Sequence, residues 1–268
     1  MLYAAAVRAV DFDILNAPAP LYRDPVFDGA ADPTVVYDKL RQEWFIFYTQ
    51  RRASDSKLLN RSWCFGTDIG LAVSQDLGIT WKYQGPVRGL KFEGGTNTFW
   101  APDVFRAPDG TWHLFVTYIK GVIAKWGGAQ KVAHYTAKSL YGPWRFSGLV
   151  PGLTNVLDPD VIQLPDGRFK MFFKDIRNRG QTGAALSTDL SAWRRLSRME
   201  TDGMMLMPHE APNVFFWKGY YWLLIDPMSA AGIFVLRSSD AATWVRQKEP
   251  LLHWGGVRPL DNVDGNRK

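Results

Sequence analysis

Four short motifs, each containing a proline beside an acidic or amide side chain, recur along this chain ahead of aromatic-rich segments. They are Ala31-Asp32-Pro33-Thr34, Ala101-Pro102-Asp103-Val104, Asp158-Pro159-Asp160-Val161 and Glu210-Ala211-Pro212-Asn213. Asp32, Asp158 and Glu210 stand at nearly the same place in their repeats, so we expect a symmetric fold to bring them together. Neighbouring carboxyl groups drive their pKa values apart, which leaves one protonated and another ionised. Such a pair can hydrolyse a glycosidic bond.

The residues after each motif have the pattern of a two-stranded hairpin. An aromatic run follows each motif, at residues 44–48, 112–116, 169–173 and 220–224. In three of the four repeats the dipeptides Asp109-Gly110, Asp166-Gly167 and Lys218-Gly219 supply residues that tolerate tight hairpin turns. The pattern predicts two antiparallel strands per motif.

A second hairpin follows in each repeat. Residues 70–81 resemble an Asp-box, in which Asp76 ties the turn and Trp81 packs beneath it. Looser versions close at Trp144, Trp193 and Trp244, so the four tryptophans are 63, 49 and 51 residues apart. Two hairpins in about 50 residues are typical of one four-stranded propeller blade. We predict a single all-β propeller domain over residues 1–268, with blades at 31–87, 100–150, 157–199 and 209–252.

Composition agrees with one all-β domain. The chain has 268 residues, and its 16 prolines and 24 glycines are spread throughout, without a sustained helical period. Twelve tryptophans exceed what the hairpins need. The surplus favours a site that stacks on flat ligands, of which sugar rings are one kind.

The charge and the termini narrow the classes of partner. The net charge is +6, but the basic residues are scattered, so we expect no nucleic-acid partner, while an acidic polysaccharide stays open. Cys64 is the single cysteine and cannot form an internal disulfide. No leader and no apolar run of about 20 residues is visible, which predicts a soluble protein without a membrane partner. The compartment stays undecided between cytoplasm and export after removal of a leader.

Together the four motifs resemble the five-bladed propeller glycosidases, glycoside hydrolase family 43 and its relative family 117. Ala31-Asp32-Pro33, Leu157-Asp158-Pro159-Asp160 and His209-Glu210-Ala211-Pro212 match their catalytic motifs in order, and Trp100-Ala101-Pro102-Asp103-Val104 matches a further one. The similarity covers about residues 22–250. It implies that Asp32 is the base acting on water, Asp158 a modulator of pKa and orientation, and Glu210 the acid, in a reaction that inverts the anomeric configuration.

Further residues are candidates for contacts with the substrate. Phe99 and Trp100 are interpreted as sugar platforms at the mouth of the second blade. Arg177, in the loop after the third hairpin, is predicted to contact hydroxyl groups or a carboxylate. His209 would tune Glu210, bind a sugar hydroxyl or hold a metal, and a purely structural histidine is an equal alternative.

The remaining motif residues are assigned no chemistry. Asp103 and Asp160 are interpreted as caps of the turns that begin their strands. Phosphate-binding loops, zinc-type Cys/His spacing and a nucleophilic serine elbow are not visible, so we expect neither a cofactor nor a metal. A structural calcium ion stays open.

The pattern departs from the family in the number of blades. Four repeats are visible, whereas the family closes with five, so truncation after Lys268 or a different closure is expected. The first 30 residues are predicted to give at most one strand to a closing blade. By analogy with family 117, in which N-terminal segments are exchanged, a homodimer is a further hypothesis.

Two functions from different classes stay open. The first is an exo-acting glycosidase that releases an arabinofuranosyl, xylosyl, galactosyl or anhydrogalactosyl unit from a plant or algal polysaccharide fragment. The second is a carbohydrate-binding propeller without turnover. A sucrose- or fructan-acting enzyme is a weaker third alternative, because Ala31 replaces the asparagine that those enzymes carry before the aspartate.

Overall fold

The computed structural model describes residues 20–53, 62–123, 126–196, 201–202, 208–227 and 232–252. The sequence predictions for the N-terminal segment, apart from its last residues, and for the C-terminal tail fall outside these ranges. The described strands form four separate sheets, each a meander of consecutive antiparallel strands. This is the predicted propeller arrangement with four blades.

Each blade runs from an inner to an outer strand. The first contains β1 (Asp28–Asp38), β2 (Glu43–Arg52), β3 (Ile69–Ser74) and β4 (Lys82–Pro86). The second contains β5 (Thr98–Arg106), β6 (Trp112–Ile119), β7 (Lys131–Ala137) and β8 (Arg145–Thr154). The third contains β9 (Val156–Gln163), β10 (Phe169–Asp175), β11 (Gln181–Ser187) and β12 (Arg194–Arg195). The fourth contains β14 (His209–Trp217), β15 (Tyr220–Pro227), β16 (Phe234–Ser238) and β17 (Trp244–Arg246).

The short strand β13 (Thr201–Asp202) pairs parallel to β17 and extends the outer edge of the fourth sheet. In the described part of the chain, helical structure is confined to the 3₁₀ turn Ile176–Asn178 after β10. No helical segment there has the length and apolarity that crossing a bilayer requires.

The predicted turns are confirmed. Gly110, Gly167 and Gly219 adopt φ of +84°, +86° and +83°, the left-handed region that glycine enters without steric cost. The Asp-box is also formed: Asp76 accepts the backbone N–H of Thr80, and the indole N–H of Trp81 donates to the carbonyl of Gly78. Hydrogen bonds from the hydroxyl group and the backbone N–H of Thr80 lower the pKa of the Asp76 carboxyl to about 2.

Apolar side chains fill the three interfaces between consecutive blades. Phe47 of the first blade meets Trp144 of the second edge to face, with ring centroids 6.0 Å apart. Phe172 of the third blade meets Trp244 of the fourth in the same way at 5.8 Å. Among the described strands, β1 packs on β5, β5 on β9 and β9 on β14, whereas β14 has no comparable packing on β1. The far face of the fourth sheet therefore presents the exposed side chains of Phe215 and Val245.

Buried aspartates also bridge the inner strands. Asp103 of β5 accepts the backbone N–H of Val161 on β9 at 2.8 Å. Asp160 of β9 accepts the backbone N–H of Val214 on β14 at 3.0 Å and the amide N–H of Asn213 at 2.8 Å. The prediction that these aspartates cap their own turns is corrected, because each reaches the next blade instead.

Burial raises the pKa of both bridging carboxyl groups, and for Asp160 the charge of Asp103 adds to the effect. A carboxyl group with a raised pKa in the folded state stabilises most below its ordinary pKa of about 4 and loses that contribution as the pH rises through its folded value. Burial lowers the pKa values of His113 and His134. The contribution of these buried, neutral imidazoles to stability therefore rises with pH over part of the same range.

We therefore predict how the free energy of unfolding of Asp103→Asn differs from that of the wild type as the pH changes. The asparagine keeps an oxygen for the Val161 N–H but carries no titratable proton. Relative to the wild type, the variant should gain about 1–2 kcal/mol of unfolding free energy between pH 5 and pH 8. Urea unfolding at several pH values measures this. Asp166→Asn is the control, because the pKa of Asp166 is lowered and lies below this range. A constant difference between wild type and Asp103→Asn would contradict the prediction.

Candidate active site

A β-bulge interrupts each inner strand at its proline motif. The pairing shifts between Ala31 and Thr34, Trp100 and Asp103, Leu157 and Asp160, and Glu210 and Asn213. The residue directly before each proline has a left-handed backbone: φ is 49° at Asp32, 46° at Ala101, 55° at Asp158 and 50° at Ala211. Non-glycine residues seldom adopt this region, and bulges commonly re-aim a side chain beside a functional site. Because the bulge recurs in all four inner strands, it is a regular feature of the blade.

The three predicted catalytic residues occupy two different positions of this bulge. Asp32 and Asp158 are equivalent, both standing directly before the proline. Glu210 stands one residue earlier, where the other repeats carry Ala31, Trp100 and Leu157. The three residues thus stand at nearly the same place in their repeats, with Glu210 offset by one residue. Its longer side chain starts one residue further from the proline.

Asp32 is held by its own blade. Its Oδ2 accepts the hydroxyl of Thr49 at 2.9 Å and a guanidinium N–H of Arg51 at 3.0 Å. The same Arg51 nitrogen lies 3.3 Å from Oδ1. The Thr49 hydroxyl also accepts the backbone N–H of Ala101 in the second blade. These contacts fix the Asp32 carboxylate and tie its position to the next bulge.

Asp158 links the third blade to its neighbours on both sides. Its backbone N–H donates to the hydroxyl of Thr117 in the second blade at 2.9 Å. Its Oδ2 accepts the backbone N–H of Ala211 in the fourth blade at 3.0 Å. The pKa of Asp158 is raised to about 7, mainly by burial and then by the charges of Asp32 and Glu210, while the Ala211 N–H and the Lys174 charge act in the opposite direction. Asp158 therefore lies within electrostatic reach of both other carboxyl groups.

Glu210 pairs with a lysine that the sequence reasoning missed. Nζ of Lys174 lies 2.7 Å from Oε1 of Glu210, and the lysine side chain is only 6% exposed. In the strand register Lys174 occupies the place of Thr49 and Thr117, opposite the residue before the bulge. Aligning the second strands of the repeats would have shown a lysine where two threonines stand. Arg51, also missed, lies two residues beyond Thr49.

The two aromatic candidates differ in their surroundings. Trp100 is half-buried, donates its indole N–H to the carbonyl of Cys64 at 2.6 Å and packs on Phe65 with ring centroids 4.7 Å apart. Phe99 is 1% exposed and belongs to the apolar core between the first and second blades. The prediction of a sugar contact is corrected for Phe99, because strand alternation turns it away from the mouth.

His209 and Arg177 flank the site without touching the three carboxyl groups in the hydrogen bonds described. His209 is fully buried, and its Nε2 accepts the backbone N–H of Thr182 at 2.9 Å. This burial supports the alternative of a structural histidine and contradicts the prediction that His209 contacts a sugar directly. Arg177 is exposed in the 3₁₀ turn, where it donates to the hydroxyl of Thr154. No cluster of His, Cys, Asp or Glu suited to a metal ion occurs among the described residues.

Comparison of the sequence with known proteins gives one family. The sequence pattern described as glycosyl hydrolases family 43 matches residues 22–233, which is more than half of the chain. No curated protein matches the sequence significantly.

Solved structures share the fold at low sequence identity. A family 117 glycoside hydrolase of the marine bacterium Zobellia galactanivorans is 19% identical, with a TM-score of 0.66 over 84% of this chain and 71% of its own. A family 43 β-1,3-galactosidase in complex with galactodeoxynojirimycin is 16% identical, with a TM-score of 0.61 over 84% of this chain and 78% of its own.

A third similar structure is a family 43 β-xylosidase/α-arabinofuranosidase from a compost microbial metagenome, in complex with xylotriose. It is 15% identical, with a TM-score of 0.61 over 81% of this chain and 77% of its own. At these identities the structures support the propeller fold alone. The sequence match spans all four bulged inner strands, from Asp32 to Glu210. The chain belongs to glycosyl hydrolase family 43 and is a glycosidase.

Proposed function

We propose that the chain hydrolyses terminal glycosidic bonds of plant or algal polysaccharide fragments with inversion, using Asp32 as base, Asp158 as modulator and Glu210 as acid. The observation that carries this proposal is the convergence of carboxyl groups from three blades, of which Asp158 feels the charge of both others. Arabinofuranosyl, xylosyl, galactosyl and anhydrogalactosyl bonds are the candidate substrates. The xylotriose and galactodeoxynojirimycin bound by similar proteins support this range.

Asp32 is suited to activate water. Its Oδ2 accepts hydrogen bonds from Thr49 and Arg51, whereas the one contact of Oδ1 within the described part of the chain is the longer one with Arg51. Oδ1 therefore takes a proton from water while the water oxygen bonds to the anomeric carbon. General-base assistance of this kind contributes about 10²–10⁴-fold in rate.

Glu210 is suited to protonate the leaving oxygen as the glycosidic bond breaks. Its Oε1 accepts a hydrogen bond from Lys174, which fixes one end of the carboxyl group. After the transfer Glu210 is a carboxylate, and the ammonium group of Lys174 stabilises the negative charge that has formed. Proton exchange with solvent then returns Asp32 and Glu210 to their starting states.

Asp158 controls the charge of the site. With a pKa near 7 it is largely protonated in mildly acidic solution, which lowers the negative charge beside Asp32. Its hydrogen bond with the Ala211 N–H also fixes the backbone next to Glu210. We infer that Asp158 orients Glu210 and keeps the number of negative charges at the candidate site low.

Leaving-group dependence should separate the base from the acid. On the active member of a panel of aryl furanosides and pyranosides, Asp32→Asn should lower kcat/KM by at least about 10²-fold whatever the leaving group, because water activation is lost. Glu210→Gln should lower it much less for a dinitrophenyl glycoside than for a natural oligosaccharide, because a good leaving group needs no proton. Steady-state kinetics measures both, and circular dichroism checks folding. A reversed pattern would exchange the two roles.

The stereochemical course is a separate prediction. Attack by water on the face opposite the leaving group produces the anomer inverted from the substrate. Proton NMR during the first minutes of hydrolysis, before mutarotation, should show this anomer alone. Initial formation of the retained anomer would require a covalent intermediate and would rule out Asp32 as a base acting on water.

Lys174 should set the pH dependence. Removal of its charge by Lys174→Met should raise the pKa of Asp158, because Lys174 lowers it, so the basic limb of the kcat/KM profile should move to higher pH. Lys174→Arg should restore the wild-type limb. Lys170→Met is the matched control: Lys170 is buried on the same strand but donates to the carbonyl of Ala241. An unmoved limb in Lys174→Met would show that Lys174 only packs.

A further inference from the structure

An aromatic cluster lies beside Asp32, outside the carboxylate site. Its members are Trp63, Phe65, Trp100 and Trp126, which we call the aromatic platform. Trp126 lies 6.2 Å from Trp63, 5.8 Å from Phe65 and 6.4 Å from Trp100 between ring centroids. Phe65 and Trp100 form the inner layer, whereas Trp63 is 36% and Trp126 58% exposed.

The platform stands at the same mouth as the carboxyl groups. Trp63 follows β2, whose last residue Arg52 pairs with Asp28 at the start of β1. Trp126 follows β6, whose last residue Ile119 pairs with Thr98 at the start of β5. Both loops therefore emerge at the end of the blades where the inner strands begin and where the bulges lie.

Hydrogen bonds hold the first of these loops in place. The guanidinium group of Arg52 donates to the carbonyls of Ser62, Phe65 and Gly66 at 2.7, 2.9 and 2.6 Å. The N–H of Gly66 donates to the hydroxyl of Thr98 in the second blade at 2.7 Å. Gly66 has φ of +70°, and a Cβ there would lie 2.8 Å from a methyl group of Val122. The chain around Trp63 is thus built to a fixed shape, and preorganised surfaces bind with a smaller loss of entropy.

One arginine connects the platform with Asp32, the proposed base. The guanidinium carbon of Arg51 lies 5.5 Å from the centre of a Trp63 ring, while a terminal nitrogen of the same group lies 3.0 Å from Asp32. The buried Nε of Arg51 has no hydrogen-bond acceptor among the described residues. A ligand on Trp63 therefore lies one guanidinium group away from the carboxylate that acts on water.

The position of the platform decides which part of a substrate it meets. An inverting base faces the anomeric carbon on the side opposite the leaving group. The platform belongs to the first and second blades, with Asp32, whereas Glu210 and the leaving group belong to the fourth. Exposed indoles offer flat apolar surface to a sugar ring, and Arg51 offers N–H donors to its hydroxyl groups.

We propose that Trp63 and Trp126 bind the glycone, the sugar on the non-reducing side of the cleaved bond. Because their ring planes stand at 80° to each other, one indole stacks on the sugar ring while the other borders its edge. This inference rests on the proposed function, because the side of the bond is defined by the role of Asp32. The platform then selects substrates by the identity of the terminal sugar and is indifferent to the leaving group.

The test compares two substrates that share a glycone, an aryl glycoside and a natural oligosaccharide, with Trp63→Ala and Trp126→Ala. Each variant should raise KM about three- to tenfold, by the same factor for both substrates and with kcat little changed, as expected for loss of one aromatic contact. Trp217→Ala is the matched control: Trp217 is 54% exposed but stands seven residues from Glu210 on β14, about 23 Å away at 3.3 Å per residue. It should leave both KM values unchanged.

The outcomes separate the platform from the proposed function. A rise in KM only for the oligosaccharide would place the platform on the leaving-group side, and a rise no larger than that of Trp217→Ala would remove it from the site; either result overturns the inference. A wild type that hydrolyses no substrate counts against the proposed function alone. Calorimetric titration with xylo-, galacto- and arabino-oligosaccharides then tests the platform: weaker binding by both variants but not by Trp217→Ala supports it, and equal binding overturns it.

Discussion

The proline-backed bulge in each inner strand is the constraint on which the fold and the site both depend. The left-handed residue before the proline turns the backbone, so that the N–H groups of Ala101 and Asp158 reach threonine hydroxyls of the preceding blade. The same turn presents the side chains of Asp32 and Asp158 to the mouth of the propeller. Blade packing and the geometry of the candidate site therefore share one set of backbone dihedrals, and a change in the bulge alters both.

Two of the three carboxyl groups at the candidate site are paired with cationic side chains from the second strands of the blades. Asp32 has Arg51 as partner and Glu210 has Lys174, whereas Asp158 has no such pairing described and is neutralised through its raised pKa. Buried carboxylates cost free energy unless they are paired or protonated. The site meets this cost in both ways, which leaves differently charged carboxyl groups side by side. Glycoside hydrolysis needs this inequality, because one group gives a proton while another takes one.

The apolar packing explains why the bulges stay in register. Phenylalanine and tryptophan side chains fill three successive interfaces, and the bridging Asp103 and Asp160 fix the inner strands against sliding. A slip of one residue would turn every inward side chain to the other face. The loops at the mouth are free of this requirement, so tryptophans such as Trp63 and Trp126 can be placed there for contacts with a ligand.

The sequence by itself determined the repeat, the hairpin turns, the Asp-box and the candidate carboxyl groups, because glycine turns, proline motifs and aromatic alternation are local signals that repeat along the chain. The one-residue offset of Glu210, the Lys174 and Arg51 partners, the burial of Phe99 and His209, and the cross-blade role of Asp103 were decided by tertiary structure. These features depend on strand register and on contacts between blades some 50 residues apart. Side chains distant in sequence acquire a common environment only when the sheets pack, so no single segment of the chain predicts their pairing.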